Sequence, residues 1–250
     1  MKKLFVLILL VSSLIACAPK PTDEKVLTIL TSSGYPPYEM VDVNGNLYGF
    51  DIDLGNAIGE LLGYTVKWVD MDFDGIIQSL NAARGDMAIA AMSPDPARDV
   101  LFSDSYYIGD DESPFFVLTK VDSGIASAAD FLNKTAGVQI GTIQEAVLNK
   151  MKDELSITLD PRKDVSQMVQ EIMVGRIDFI LVEALVAGEY VNQFPQLTRF
   201  ELEHEAAYAS SGTAIALPKS STKLDDVNQA LATLKENGTL DQLIKKWFTE

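Results

Sequence analysis

Asp74-Gly75-Ile76-Ile77-Gln78-Ser79-Leu80-Asn81-Ala82-Ala83-Arg84-Gly85-Asp86-Met87-Ala88-Ile89-Ala90-Ala91 is the stretch that decides the fold. Ile76, Ile77 and Leu80 share one face of a helix predicted over 74–83, Gly85 stops it, and the apolar run over 87–91 reads as a buried strand. Upstream, Leu27-Thr28-Ile29-Leu30-Thr31 reads as a strand and Tyr35-Pro36-Pro37-Tyr38 as a loop, since two prolines fix φ and remove two donors. Asn44-Gly45-Asn46 is a hairpin-type turn. A helix from Asp51 carries Leu54, Ala57, Ile58, Leu61 and Leu62 at helical spacing up to Gly63, and a strand follows over 66–69. Strand, helix, strand, helix, strand is the order of an α/β layer with parallel pairing. Downstream the order begins again, with a strand over 138–140, a helix over 144–152, a strand over 157–159, a helix over 165–174 ended by Gly175, and a buried strand over 179–182. Arg84-Gly85-Asp86-Met87 and Gly175-Arg176-Ile177-Asp178-Phe179 stand in equivalent places. The period is too long for a solenoid, so two similar α/β lobes are expected. Two amphipathic helices, over 223–236 and 240–248, close the chain.

The 250 residues, 47% hydrophobic and 22% charged, are enough for a sizeable core and exclude disorder and fibres. Twenty Lys and Arg against 36 Asp and Glu give a formal charge of −16, which excludes the basic footprint that nucleic acid requires. One cysteine cannot form an internal disulfide, and one histidine leaves little scope for a zinc site or a histidine-based triad. No dinucleotide fingerprint, phosphate loop or nucleophile elbow can be read, so neither a cofactor nor a metal is expected. The acid groupings Asp51/Asp53, Asp72/Asp74 and Asp110/Asp111/Glu112 read as helix-start and solvated surface groups rather than acid–base pairs. His204, between Glu203 and Glu205, reads as a solvated residue.

The N-terminus carries an address. Lys2 and Lys3 precede an apolar run over 4–16, the pattern of an export signal, and the run is shorter than the ~20 residues a retained membrane span needs. It ends in Leu14-Ile15-Ala16-Cys17, which resembles a lipobox, so residues 1–16 are expected to be removed and Cys17 to be lipidated. More than one acyl chain there would hold the protein at a membrane, and residues 17–25 would be its tether. Loss of Lys2 and Lys3 takes the formal charge to −18, so the acidity belongs to the exported part.

Ligands of open α/β sheets bind beyond the C-terminal ends of parallel strands, and Arg98 stands in such a place, after Ala90-Ala91-Met92-Ser93-Pro94-Asp95-Pro96-Ala97. A guanidinium can grip a carboxylate through two parallel hydrogen bonds. Arg98 and its neighbours Phe102-Ser103-Asp104 belong to a longer series: Tyr35-Pro36-Pro37-Tyr38-Glu39, Gly49-Phe50-Asp51-Ile52-Asp53-Leu54, Phe73-Asp74-Gly75-Ile76-Ile77, Gly137-Val138-Gln139-Ile140-Gly141-Thr142-Ile143-Gln144-Glu145 and Gly238-Thr239-Leu240. In this order the series resembles the polar amino-acid-binding proteins of bacterial ABC importers, over nearly the whole chain after the tether.

The resemblance implies a two-lobe periplasmic-binding-protein fold of type II with two hinge crossings. It puts residues 26–109 and 213–250 in lobe one and 116–206 in lobe two. It implies an exported, periplasmic or cell-surface monomer that captures an L-amino acid and delivers it to an ABC permease. Carried over by position, Arg98 clamps the ligand α-carboxylate with help from the Ser93 hydroxyl and backbone N–H groups near Asp95 and Thr142. Glu183 receives the α-ammonium, Tyr35 and Phe73 flank the ligand side chain, Ala91 offers backbone groups, and Gln139 reaches a polar side chain from lobe two. Ser32 stands where some binders of basic amino acids carry an acid, and Asp95 where threonine is usual, so its carboxylate must turn away. A basic or polar amino acid, arginine among them, is expected. Two alternatives remain open: a cyclohexadienyl dehydratase-like enzyme using Glu183 or Asp95 as acid, and a module that presents ligand to a separate receptor.

Overall fold

Alternating burial of Leu27 and Ile29 puts β1 (Val26–Thr31) inside a sheet. The computed structural model that places it describes residues 25–109, 115–204 and 212–248. The signal peptide, Cys17, the tether before residue 25 and the Asp110/Asp111/Glu112 group lie outside the described residues. After β1 comes a small hairpin of β2 (Met40–Val41) and β3 (Leu47–Tyr48). Helix α1 (Phe50–Leu62) ends at Gly63, whose φ of 71° suits glycine and lets its N–H reach Glu60 and Gly59 carbonyls. Next come β4 (Thr65–Asp70), a 3-10 turn at Phe73–Gly75, α2 (Ile76–Asn81), β5 (Met87–Ala88) and β6 (Leu101–Tyr107). The second half runs β7 (Phe116–Lys120), a 3-10 turn at Ala128–Phe131, β8 (Thr135–Gln139), α3 (Ile143–Met151), β9 (Thr158–Arg162), α4 (Val165–Met173), β10 (Phe179–Val182), α5 (Ala184–Gln193) and β11 (Leu197–Glu201). The chain returns as β12 (Thr213–Leu217) and ends in α6 (Leu224–Glu236) and α7 (Thr239–Phe248).

Two five-stranded sheets result, ordered β4-β1-β5-β12-β6 and β11-β7-β10-β8-β9. The expected parallel pairing holds at the centre of each, β4-β1-β5 in the first and β10-β8-β9 in the second. The flanking strands are antiparallel, β12 to β5 and β6, and β7 to β10 and β11. Strand β12 joins the first sheet from the far end of the sequence, so that sheet is completed by chain that follows the second. The two connections between the sheets fall in 110–114 and 205–211, outside the described residues.

Two expectations change in detail. The strand predicted over 87–91 pairs only as β5, because Ala91 turns to φ 44° and gives its N–H to the Asp51 carboxylate at 2.7 Å instead of to a neighbouring strand. Asp51 stands in the first turn of α1 as expected, but it is fully buried, and the Tyr106 hydroxyl donates to the same oxygen at 3.0 Å.

Helix α1 lies close on β4 through two glycines. A Cβ on Gly59 would stand 2.2 Å from Val66 Cγ2, closer than packed atoms allow. Alanine there gains about 1 kcal/mol of helix propensity but forces about 1–3 kcal/mol of overpacking against a β-branched neighbour. Gly59→Ala is expected to lower the thermal midpoint by a few degrees, read by calorimetry; an unchanged or raised midpoint would show that α1 does not sit on β4 in this way.

Candidate functional site

Both sheets send loops to one cleft of about 420 Å³, counted out to its mouth, and all eight residues singled out in the sequence line it: Tyr35, Phe73, Ala91, Ser93, Arg98, Gln139, Thr142 and Glu183. Five come from the first half of the chain and three from the second. Among the described residues no three His, Cys, Asp or Glu side chains converge as a metal site.

Arg98 follows β5 and the two-proline loop, and its guanidinium lies over the Phe73 ring at 5.4 Å. Nη2 donates across the cleft to the Gly141 carbonyl at 3.2 Å, while Nη1 is buried without a partner. Burial lowers the pKa of Arg98, Asp95 nearby opposing this, and the group stays cationic. Asp95 has turned its carboxylate to its own loop, accepting the Ala97 N–H at 2.8 Å, as a site for an anionic ligand group demands.

On the opposite wall Glu183 caps the end of β10 and starts α5. The Tyr35 hydroxyl donates to its carboxylate from the first half of the chain, and Gln144 Nε2 donates to Oε1 at 2.9 Å. Desolvation pushes the Glu183 pKa up to about 8. Gln144, which the sequence reading quoted without a role, is thus part of the wall.

Helix α3 begins at Thr142, whose Oγ1 accepts the Glu145 N–H at 3.2 Å and donates to the Gln139 carbonyl at 2.7 Å. The Gly141 N–H is already engaged by Glu145 Oε2 at 2.8 Å and the Thr142 N–H by the Gln139 carbonyl at 3.4 Å, so neither N–H of the Gly141-Thr142 turn is free for an anion and the anion-attracting end of α3 starts beyond it. Gln139 lines the cleft, yet its Nε2 donates to the Lys163 carbonyl at 3.0 Å.

The conformation is closed. Tyr190 Oη donates to the Gly34 carbonyl at 2.9 Å, and a Cβ on Gly34, at φ 98°, would stand 3.0 Å from Asp164 Oδ1. Lys163 pairs with Asp72 at the cleft mouth, where Asp70 and Asp164 also gather.

Glu39, quoted in the sequence without a role, also lines the cleft. Glu39 closes the Tyr35-Pro36-Pro37-Tyr38 turn, its carbonyl accepting the Gly34 and Tyr35 N–H groups at 3.1 and 3.0 Å. Its side chain is 1% exposed, and Oε2 has no hydrogen-bond partner. Burial, then the neighbouring Asp51, raise its pKa well above the ordinary carboxyl value. The sequence signal was there: a lone acid between Tyr38 and Met40 in an otherwise apolar turn.

A family model described as bacterial extracellular solute-binding proteins, family 3, matches residues 27–250. The arginine-binding extracellular protein ArtP of Bacillus subtilis (strain 168) is 36% identical over 230 residues, covering 91% of this chain and 88% of the relative. A solved structure of an ancestral arginine-binding protein bound to arginine superposes with a TM-score of 0.82 at 33% identity, covering 90% of this chain and 99% of the other. An ancestral amino acid-binding protein, a precursor of cyclohexadienyl dehydratase, superposes with a TM-score of 0.78 at 29% identity, covering 90% and 96%.

Proposed function

The chain belongs to the bacterial extracellular solute-binding proteins of family 3, and on that premise we propose that its solute is a basic L-amino acid, arginine first, handed to an ABC permease. The observation that carries this reading is the arrangement of charge in one cleft. Arg98 offers an unpartnered guanidinium nitrogen on one wall, Glu183 an acid on the other, and Glu39 a buried acid, its Oε2 reached by no donor, deeper in the first lobe. An α-carboxylate fits the first, an α-ammonium the second, and a cationic side chain the third. Ser32 leaves its place without an acid, and Glu39 supplies one from the same turn. The names of the relatives, which include arginine-binding proteins, support the same assignment.

In this reading residues 26–109 with 213–250, and 116–206, are the two lobes, joined by two crossings between them. The contacts made by Arg98, Tyr35, Lys163 and Tyr190 across the cleft then belong to the closed state that ligand favours. The protein acts as a monomer outside the cytoplasm, held to a membrane through lipidated Cys17. It binds rather than turns over its solute: Glu183 and Asp95 are engaged in holding the cleft and its loop, and the dehydratase precursor among the similar structures is itself described as an amino acid-binding protein.

Thermal shift with each of the common L-amino acids tests the reading. A ligand present at a hundred times its Kd stabilises the native state by about 2.7 kcal/mol. Arginine, with lysine or ornithine behind it, is expected to give the largest rise. A panel in which no amino acid raises the midpoint would overturn the assignment.

A further inference from the structure

The acid that faces the ligand side chain does not stand alone. Asp51 gives its N–H to the Tyr38 carbonyl at 2.9 Å and its carboxyl is hydrogen-bonded to that of Glu39; both acids are buried, and Glu39 Oε2 and Asp51 Oδ1 have no other donor among the described residues. The two carboxyls are unequal. Asp51 Oδ2 accepts the Ala91 N–H at 2.7 Å and the Tyr106 hydroxyl at 3.0 Å, both of which favour its ionised form. No donor reaches Glu39 Oε2. Other groups around the pair are Tyr38 beside Glu39, Asp70 at the end of β4, and Tyr107 on β6; Arg98 and Glu183 face the same cleft from its other walls. Burial raises the tyrosine pKa values at 38 and 106 further, so neither phenol supplies charge. Two buried carboxyls hydrogen-bonded to each other, with no cation paired to either among the described residues, do not both ionise, so a single proton resides on Glu39 and is shared towards Asp51.

We propose that Glu39 and Asp51 form a proton-coupled charge sensor for the ligand side chain: a guanidinium or ammonium entering beside Glu39 displaces the shared proton to solvent, whereas a neutral side chain leaves it in place. The inference rests on the basic-amino-acid reading above and adds Asp51, which does not line the cleft, as a positioning residue for specificity. The proton balance is simple: Glu39 carboxyl plus cationic side chain gives Glu39 carboxylate paired with the cation, and one proton released. Asp51 sets the pH at which this happens, because its negative charge holds the proton on Glu39 until a stronger cation replaces it. Asp51 also holds Ala91 in its left-handed turn at the cleft wall, so the sensor and the wall share one carboxylate.

The experiment compares L-arginine with L-citrulline, its neutral near-isostere, by titration calorimetry in buffers of different ionisation enthalpy between pH 5 and 8. Any proton released at Glu183 by the α-ammonium is common to both ligands, so the difference between them isolates the side-chain subsite. Arginine is expected to release up to about one proton more than citrulline near neutral pH. The arginine-to-citrulline affinity ratio is expected to rise with pH, by up to about tenfold per unit where the full proton is released. Glu39→Gln removes the titrating group and is expected to abolish the difference in protons. Asp51→Asn keeps an acceptor for the Ala91 N–H and is expected to move the rise of the ratio to lower pH. Equal proton release for the two ligands in the native protein, or a difference that persists in Glu39→Gln, would overturn the sensor while leaving amino-acid binding intact. If neither ligand binds, the underlying functional reading has failed and the sensor falls with it.

Discussion

Arg98→Ala is expected to abolish measurable amino-acid binding at micromolar ligand while leaving the protein folded. Removing one member of a buried, hydrogen-bonded charge pair costs about 2–5 kcal/mol, roughly 30- to 4,000-fold in Kd. The upper part of that range is expected here, because Arg98 is the one cation on the cleft wall among the described residues. A ligand carboxylate that enters without it loses its only positive partner in a desolvated site. The fold should survive, since Arg98 donates across the cleft only to the Gly141 carbonyl and lends no side chain to either sheet. Calorimetry gives the Kd and circular dichroism checks the fold. A variant that binds arginine within threefold of the native protein would remove Arg98 from the clamp, and with it the orientation of ligand proposed here.

The second large effect is on closure in the absence of ligand. Tyr35 and Gln144 draw Glu183 into the closed cleft, where its pKa stands at about 8 against an ordinary 4.5. A carboxyl whose pKa is raised in the closed state binds its proton more tightly there than in an open, solvated one. Its contribution to closure is therefore full below about pH 4.5 and is lost as pH rises through 8. The empty protein is expected to close at acid pH and to open progressively towards pH 8, with a radius of gyration that grows accordingly in small-angle scattering. Ligand supplies an ammonium that neutralises ionised Glu183, so the liganded protein should stay closed across the same window. Glu183→Gln, neutral at every pH, should flatten the dependence of the empty protein. A radius of gyration that does not change between pH 4.5 and 8, or that falls, would contradict the role given to Glu183.

Legibility differed between fold and site for physical reasons. Elements whose apolar residues recur with one period, α1, α4 and β10, were readable because one face or both is buried against a single layer. Strands β6, β7, β11 and β12 were not, because their pairing is made by distant partners: β12 meets β5 and β6 over a hundred residues away, and nothing local marks Leu101-Phe102-Ser103-Asp104-Ser105-Tyr106-Tyr107 as a strand rather than a ligand loop. Seven of the eight cleft residues stand in motif phrases, which keep local order, so loops that depend on nearby turns came out together in space, and Glu183 was placed as the acid that follows a strand of the second half. Glu39 and Asp51 sat inside the same phrases, Glu39 without a role and Asp51 read only as a helix-start acid. Nothing in one dimension shows that they meet, and only three-dimensional burial turns them into a paired group with orphaned oxygens.

A crystal structure of the protein with L-arginine tests the central claim most directly. The claim predicts the α-carboxylate on Arg98, the α-ammonium on Glu183 and the guanidinium beside Glu39, with Phe73 and Tyr35 along the aliphatic stem. Arginine bound in the reverse sense, its guanidinium at Glu183 and its α-ammonium elsewhere, or bound outside the cleft, would contradict it.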